Sequence, residues 1–387
     1  MLHVLYLAHD LNDPAVRRRI LMLKAGGAEV TVAGFARKAN PFAEVEGIVP
    51  IDLGRTFDGR FIQRLATIGR AALSLSVKLA GNPRPDVIIG RNLEMLALAH
   101  RAGTLMGGDI PIVYECLDIH RLMLRNDLAG QALRAIEGRL CRKSALLMTS
   151  SPAFLKQYFE RYGQVDLPAV LVENKVLELD QTAGICASAR PAPSPGQPWR
   201  VGWFGALRCR RSLALLADLA RRMDGRVEIV LRGRPAYDQF VDFDRQVQDA
   251  PFMNFAGPYR NPEDLADIYG GVHFSWLLDF FEEGMNSNWL LPNRLYEGCR
   301  HATVPIALAG TETAGFLRDR GIGLILEDPS PDALHDLMEE AICADRYAEA
   351  AAGVAARDLS CWRVGRSDCA ELVARLEQVR PISRLAA

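Results

Sequence analysis

The sequence predicts an α/β protein made of two Rossmann-like halves. Strand-like apolar runs alternate with helical patterns, a proline-rich stretch interrupts that alternation near the middle, and 387 residues suffice for two domains with separate cores. In the first half the apolar runs are 2–8, 29–35, 86–90, 110–115, 145–149 and 169–172, with helical stretches such as 15–25 and 93–102 between them. Residues 181–198 carry Pro191, Pro193, Pro195 and Pro198 without periodicity and read as a linker. Strands resume at 200–204, 227–232, 254–256, 272–277 and 304–308. The expected layout is a first domain over 1–180, a linker over 181–198 and a second domain over 199–360. An amphipathic helix over about 366–380 is expected to pack back on the first domain.

Composition narrows the function classes. A net charge of −1 with 49% hydrophobic and 24% charged residues excludes a disordered chain, a collagen-like repeat and a generally basic nucleic-acid binder. The eight cysteines form no CxxC pair and no cluster with histidine, which argues against a zinc site or a disulfide framework. Reduced thiols and a cytoplasmic location are expected. The opening MLHVLYLAHD lacks a basic n-region and reads as a buried strand, not a signal peptide. No stretch approaches the ~18–20 apolar residues that span a bilayer, so any membrane contact is expected from the side. Only six lysines occur, so 40 of the 46 basic residues are arginine, and no arginine is informative merely by its type.

The turn after the first strand, Ala8 to Pro14, has no glycine and so lacks the backbone approach to pyrophosphate that a dinucleotide site needs. A GxxxxGK[ST] motif is also missing. With His9, Asp10 and Asp13, the turn suits a hydroxyl-rich ligand, although an Asx turn accounts for the same residues.

Two segments of the second half look chemical. Val201 to Ser212 reads as a strand, a turn at Gly205 and a helix start with Arg208, Arg210 and Arg211. Cations at a helix N-terminus oppose its dipole unless an anion binds there, so a diphosphate site is weighed against a solvated helix start. In the segment from Pro292 to Gly298, Asn293 is expected to cap a short helix. Glu297 then either sits favourably near a helix N-terminus or accepts the vicinal hydroxyls of a ribose.

These residues resemble the GT-B glycosyltransferases, and within them family-4-like enzymes of bacterial exopolysaccharide assembly. The donor-domain pattern GxLxxxK is met by Gly205, Leu207 and Arg211, and PNKLxE by Pro292, Asn293, Arg294, Leu295 and Glu297, each with arginine for lysine. Similar stretches run from Arg17 to Phe35, Ile112 to Asp118, Leu171 to Val176 and Leu231 to Gly233, across almost the whole chain. The resemblance implies transfer of a sugar from a nucleotide diphosphate donor, expected to be a UDP-sugar, in a cleft between two Rossmann-like domains, with no metal and no cofactor. It assigns the diphosphate to Arg208 and Arg211, with Arg294 as a third contact, and the ribose to Glu297. Gly205 and Asn293 complete the donor set.

The acceptor is expected from the first domain, with His9, Asp10, Asp13 and Arg17 binding it and Asp118, Glu115 or His120 orienting or deprotonating its hydroxyl. Asp118 aligns with the family's aspartate, and a turn or capping role fits it equally. The family's first glutamate of Glu-x7-Glu is Trp289 here, its later glycine is Ala302, and its histidine before the aspartate is Leu117. Anomeric outcome therefore does not carry over.

Residues 60–79 combine Arg60, Arg64, Arg70 and Lys78 with apolar residues at helical spacing. Such a helix either packs on the core with a solvated basic face or lies on an anionic membrane, as a peripheral contact at the inner face of the cytoplasmic membrane. The second alternative implies a polyprenyl-diphosphate-linked acceptor. Rival readings are a UDP-sugar 2-epimerase of the same fold and a non-catalytic nucleotide-sugar binding protein.

Overall fold

The computed structural model describes residues 1–36, 44–56, 61–180 and 188–379, with backbone alone for 61–65. Arg60, residue 380 and residues 181–187 of the expected linker lie outside the described residues, as do the side chains of Phe61 and Arg64. Two compact units divide the chain. The first holds Met1–Glu173, Leu177–Leu179 and the segment from Val364 onward, and the second holds Asn174–Val176 and Asp180–Arg363.

In the first unit, β1 (His3–Ala8), β2 (Glu29–Ala36), β3 (Ile51–Arg55), β4 (Val87–Arg91), β5 (Ile112–Cys116), β6 (Leu146–Thr149) and β7 (Ala169–Leu171) form a parallel sheet. Their order is β3-β2-β1-β4-β5-β6-β7. β1, β4, β5 and β6 are buried along their whole length, which is why each reads as a continuous apolar run. β3 escapes such a reading because it is an edge strand that buries only Leu53. The connecting helices are α1 (Pro14–Ala25), α2 (Phe61–Leu79), α3 (Asn92–Leu105), α4 (Leu128–Cys141) and the single turn α5 (Pro152–Phe154). Asp13 starts α1 by accepting a bond from the Ala15 amide, and Pro14 takes the first helical position, where no amide proton is needed. A short strand, β8 (Val176–Leu177), follows.

In the second unit, β9 (Trp199–Leu207), β10 (Val227–Pro235), β11 (Met253–Phe255), β12 (Phe274–Trp276), β13 (Val304–Leu308) and β14 (Leu324–Leu326) form a second parallel sheet in the order β11-β10-β9-β12-β13-β14. Its helices are α6 (Arg210–Arg222), α7 (Phe243–Gln248), α8 (Leu265–Gly270), α9 (Asn286–Trp289), α10 (Asn293–Arg300), α11 (Glu312–Arg320), α12 (Pro331–Ala341) and α13 (Ala344–Ala355). β15 (Arg363–Val364) pairs with β8 in a separate two-stranded ladder. The last helix, α14 (Arg366–Gln378), buries Cys369, Leu372, Val373 and Leu376 in the first unit's core beside Met22 and Leu23 of α1.

Each sheet reverses its winding once, between β1 and β4 in the first and between β9 and β12 in the second. In parallel sheets the crevice at such a switch, beyond the carboxyl ends of the strands, is where ligands bind.

Two expectations need correction. Gly205 is not in a turn. β9 runs on to Leu207, paired with β10 throughout, because Gly205 at φ 104° lets the strand continue through a conformation closed to side chains. Asn293 is the first residue of α10 and not its cap, since Pro292, extended at ψ 152°, occupies the cap position.

Candidate functional site

At the second sheet's switch point, Arg208 lies just past β9 and Arg211 in the first turn of α6, and the loop after β12 carries Asp279 and Glu283. The Arg208 guanidinium lies 3.1 Å from Asp279 Oδ2 and over the Phe281 ring at 4.7 Å. Arg211 pairs with Glu283 at 3.1 Å and stacks over Phe280 at 4.4 Å. The buried Cys209 thiol caps α6, accepting from the amides of Ser212 and Phe280, while Ser212 Oγ donates to the Leu278 carbonyl at 3.1 Å. The helix start expected to offer free amides is therefore partly satisfied by its own cap, and the same contacts tie the two loops together.

Arg294 reaches into this corner from α10, donating to the Leu277 carbonyl at 2.9 Å, while its buried Nε has no hydrogen-bond partner among the described residues. Burial lowers its pKa from the usual guanidinium value, against the opposing pull of Asp279. Glu297, 5% exposed, accepts from Asn261 Nδ2 at 2.8 Å and from the Tyr269 hydroxyl at 3.0 Å. Gly233 of β10 lies so close to Gly205 that a Cβ on it would meet the Gly205 carbonyl oxygen at 1.9 Å, so both positions require glycine.

The first sheet's switch point gathers a different set. Asp13 accepts from Arg91 Nη2 at 3.0 Å and faces His9 Nε2 at 3.8 Å. Burial alone would raise the Asp13 pKa, but Arg91 and His9 outweigh it and lower the value. Asp10 forms an Asx turn, accepting from the Asn12 amide at 3.0 Å. Asp118 is exposed just past β5, and His120 caps the 3-10 turn Arg121–Leu124 by accepting from the Leu122 amide at 3.3 Å. Arg17, one turn past Asp13 on α1, pairs with Glu46 through its side chain.

Glu115 is corrected as a proton acceptor for a substrate. It is 0% exposed and holds Arg19 Nε at 2.5 Å and the Tyr6 hydroxyl at 2.5 Å, with Arg91 Nη1 3.7 Å away. Burial pushes its carboxyl up, yet the two guanidiniums prevail and hold it below the ordinary glutamate value. Glu115 is therefore an internal counter-ion.

Sequence reasoning missed Arg91, Arg19 and Tyr6, as well as the partners Asn261, Tyr269, Asp279 and Glu283. Arg91 left one signal, a charge ending the apolar run Val87–Arg91. The others carry none, because their partners lie 28 to 109 residues away in sequence. Among the described residues, no group of three or more His, Cys, Asp or Glu side chains could hold a metal ion.

No known family profile matches the chain. It is 58% identical over 377 residues, covering 97% of this chain and 93% of the relative, to the succinoglycan biosynthesis protein ExoL of Rhizobium meliloti strain 1021. Its fold is similar to that of a sucrose-phosphate synthase from Thermosynechococcus elongatus, with TM-score 0.73 and 12% identity over 97% of this chain and 98% of the other. A second similar structure is Anabaena HepE, solved with UDP and glucose, with TM-score 0.67 and 14% identity over 97% and 99% of the two chains. A third is WaaG, a glycosyltransferase of lipopolysaccharide biosynthesis, with TM-score 0.61 and 12% identity over 96% and 99%.

Proposed function

Because the chain belongs to the family of the succinoglycan biosynthesis protein ExoL and has the GT-B fold, we propose that it is a glycosyltransferase of exopolysaccharide assembly. It moves a sugar from a UDP-sugar to a lipid-linked glycan acceptor. The observation that supports this reading is that Arg208, Arg211 and Arg294 all bond to the segment that follows β12, beyond the switch point of the second sheet, while Glu297 lies on the same short helix as Arg294.

In this reading, the three arginines neutralise the charge that grows on the diphosphate as it leaves, the step where electrostatic stabilisation counts most. Glu297, fixed by Asn261 and Tyr269, holds the ribose hydroxyls. The acceptor oxygen forms a bond to the anomeric carbon, the bond from that carbon to the phosphate oxygen breaks, and UDP departs with the electron pair. The acceptor's proton passes to Asp118, the exposed carboxylate past β5.

Among the described residues no helix is long and apolar enough to cross a membrane. In this reading the protein works in the cytoplasm and reaches a lipid-linked acceptor from the bilayer surface, with α2 as its peripheral contact.

The test is a thermal-shift panel of UDP-, GDP- and ADP-sugars, followed by product analysis with and without a lipid-linked acceptor. Stabilisation by UDP-sugars and acceptor-dependent release of UDP are expected, since a ligand bound to the folded state raises the melting temperature by mass action. Release of an epimerised sugar without any acceptor, or binding with no turnover, would overturn the assignment.

A further inference from the structure

Arg208 and Arg211 are each held from two sides by the same short segment, 279–283. Arg208 lies 3.1 Å from Asp279 Oδ2, with its guanidinium 4.7 Å from the centre of the Phe281 ring. Arg211 lies 3.1 Å from Glu283 Oε1, with its guanidinium 4.4 Å from the centre of the Phe280 ring. Each arginine thus has one carboxylate and one aromatic ring. Arg210, between them in sequence, turns elsewhere and donates through Nε to the Gln239 carbonyl.

The two kinds of contact use different parts of a guanidinium. Its N–H donors lie in its plane and are what a carboxylate or a phosphate takes, whereas a ring meets the face and takes no donor. A phosphate arriving at Arg208 or Arg211 therefore replaces Asp279 or Glu283, while the stack on the ring persists. An arginine already fixed in this way loses less side-chain freedom when it binds.

The rings can serve as supports because the backbone that carries them is itself fixed. Cys209 Sγ accepts from the Phe280 amide at 3.3 Å, and Asp279 Oδ1 accepts from the Phe281 amide at 2.9 Å. Just upstream, Ser212 Oγ donates to the Leu278 carbonyl at 3.1 Å and Arg294 Nη2 to the Leu277 carbonyl at 2.9 Å. Phe280 is buried in the second unit's core, and Phe281 is half-buried.

We propose that Phe280 and Phe281 are positioning residues for the donor diphosphate, holding the faces of Arg211 and Arg208 while the in-plane donors pass from carboxylate to phosphate. This rests on the sugar-transfer reading above and adds to it two residues that act through the arginines. A cation within about 6 Å of an aromatic ring centre is attracted by the electron-rich face, an attraction that an aliphatic side chain in the same place lacks.

The experiment is titration calorimetry with UDP and, by competition, with uridine, on the full chain and on F280L, F281L and F281Y. Both leucine variants should bind UDP about two- to tenfold more weakly than the parent. F281Y should match the parent because it keeps the ring, and uridine affinity should stay unchanged throughout because uridine carries no phosphate. Leucine variants with the parent's UDP affinity, or an F281Y as weak as F281L, would overturn the inference. A fall in uridine affinity in step with UDP would also overturn it, by showing that the rings serve packing alone. Should F280L fail to fold, F281L and F281Y decide the matter at the half-buried position. A parent that binds no UDP would overturn the sugar-transfer reading and this inference together, whereas a parent and leucine variants that bind UDP equally would overturn this inference alone.

Discussion

Arg211 and Glu283 join the start of α6 to the loop after β12, guanidinium to carboxylate at 3.1 Å, with the Arg211 plane lying over Phe280. An arginine assigned to the diphosphate is thus held by a carboxylate that a bound anion must replace. Both partners are about half exposed, so solvent screens the pair and the exchange costs little. Arg211→Ala should weaken UDP binding about 10- to 100-fold, the ~1.5–3 kcal/mol of a hydrogen bond to a charged group. Glu283→Gln should tighten it a few-fold, matching the ~0.2–1 kcal/mol of an exposed ion pair. Titration calorimetry showing the same affinity in all three proteins would remove Arg211 from the site.

Glu297→Gln keeps the size of a side chain that Asn261 and Tyr269 already orient. The amide has one acceptor oxygen where the carboxylate has two, so the preference for UDP over its 2′-deoxy analogue should shrink. If competition binding shows undiminished discrimination, Glu297 serves only the helix and its neighbours.

The Glu115 carboxylate is the common counter-ion of Arg19 and Arg91, and removing it leaves buried positive charge uncompensated. Glu115→Gln should cost about 3–5 kcal/mol in urea denaturation at neutral pH. Because the folded-state pKa of Glu115 is depressed, its stabilisation is fully present above the unfolded value near 4.5 and disappears as pH falls through the folded value. The stability gap between parent and variant should therefore be full at pH 7 and close in acid. A gap independent of pH would mean that packing, and not charge, explains the loss.

Ala302 takes φ 55° just past the end of α10, the left-handed region that a side chain disfavours. Ala302→Gly should stabilise the protein by about 1 kcal/mol without changing UDP affinity, as read from urea midpoints and calorimetry. A destabilised variant would show that the Ala302 methyl, which is buried, contributes more packing than its backbone costs in strain.

By itself the sequence determined the two parallel sheets, nearly all their strands, and the order of the segments that resemble a donor domain. Such features are local, since a fully buried strand writes itself as an apolar run and a helix as a 3.6-residue period. The edge strands β3 and β14 were silent because each buries a single side chain, which makes no run. Which charges face a ligand and which serve the interior was decided only by tertiary structure. Glu115 and Asp118 are three residues apart in one segment, yet the first is sealed against Arg19 and the second is exposed. Their difference follows from the order of β1, β4 and β5, which sets Arg91 in register with Glu115 and brings Tyr6 to it across 109 residues. Strand order is non-local, and no spacing along the chain encodes it.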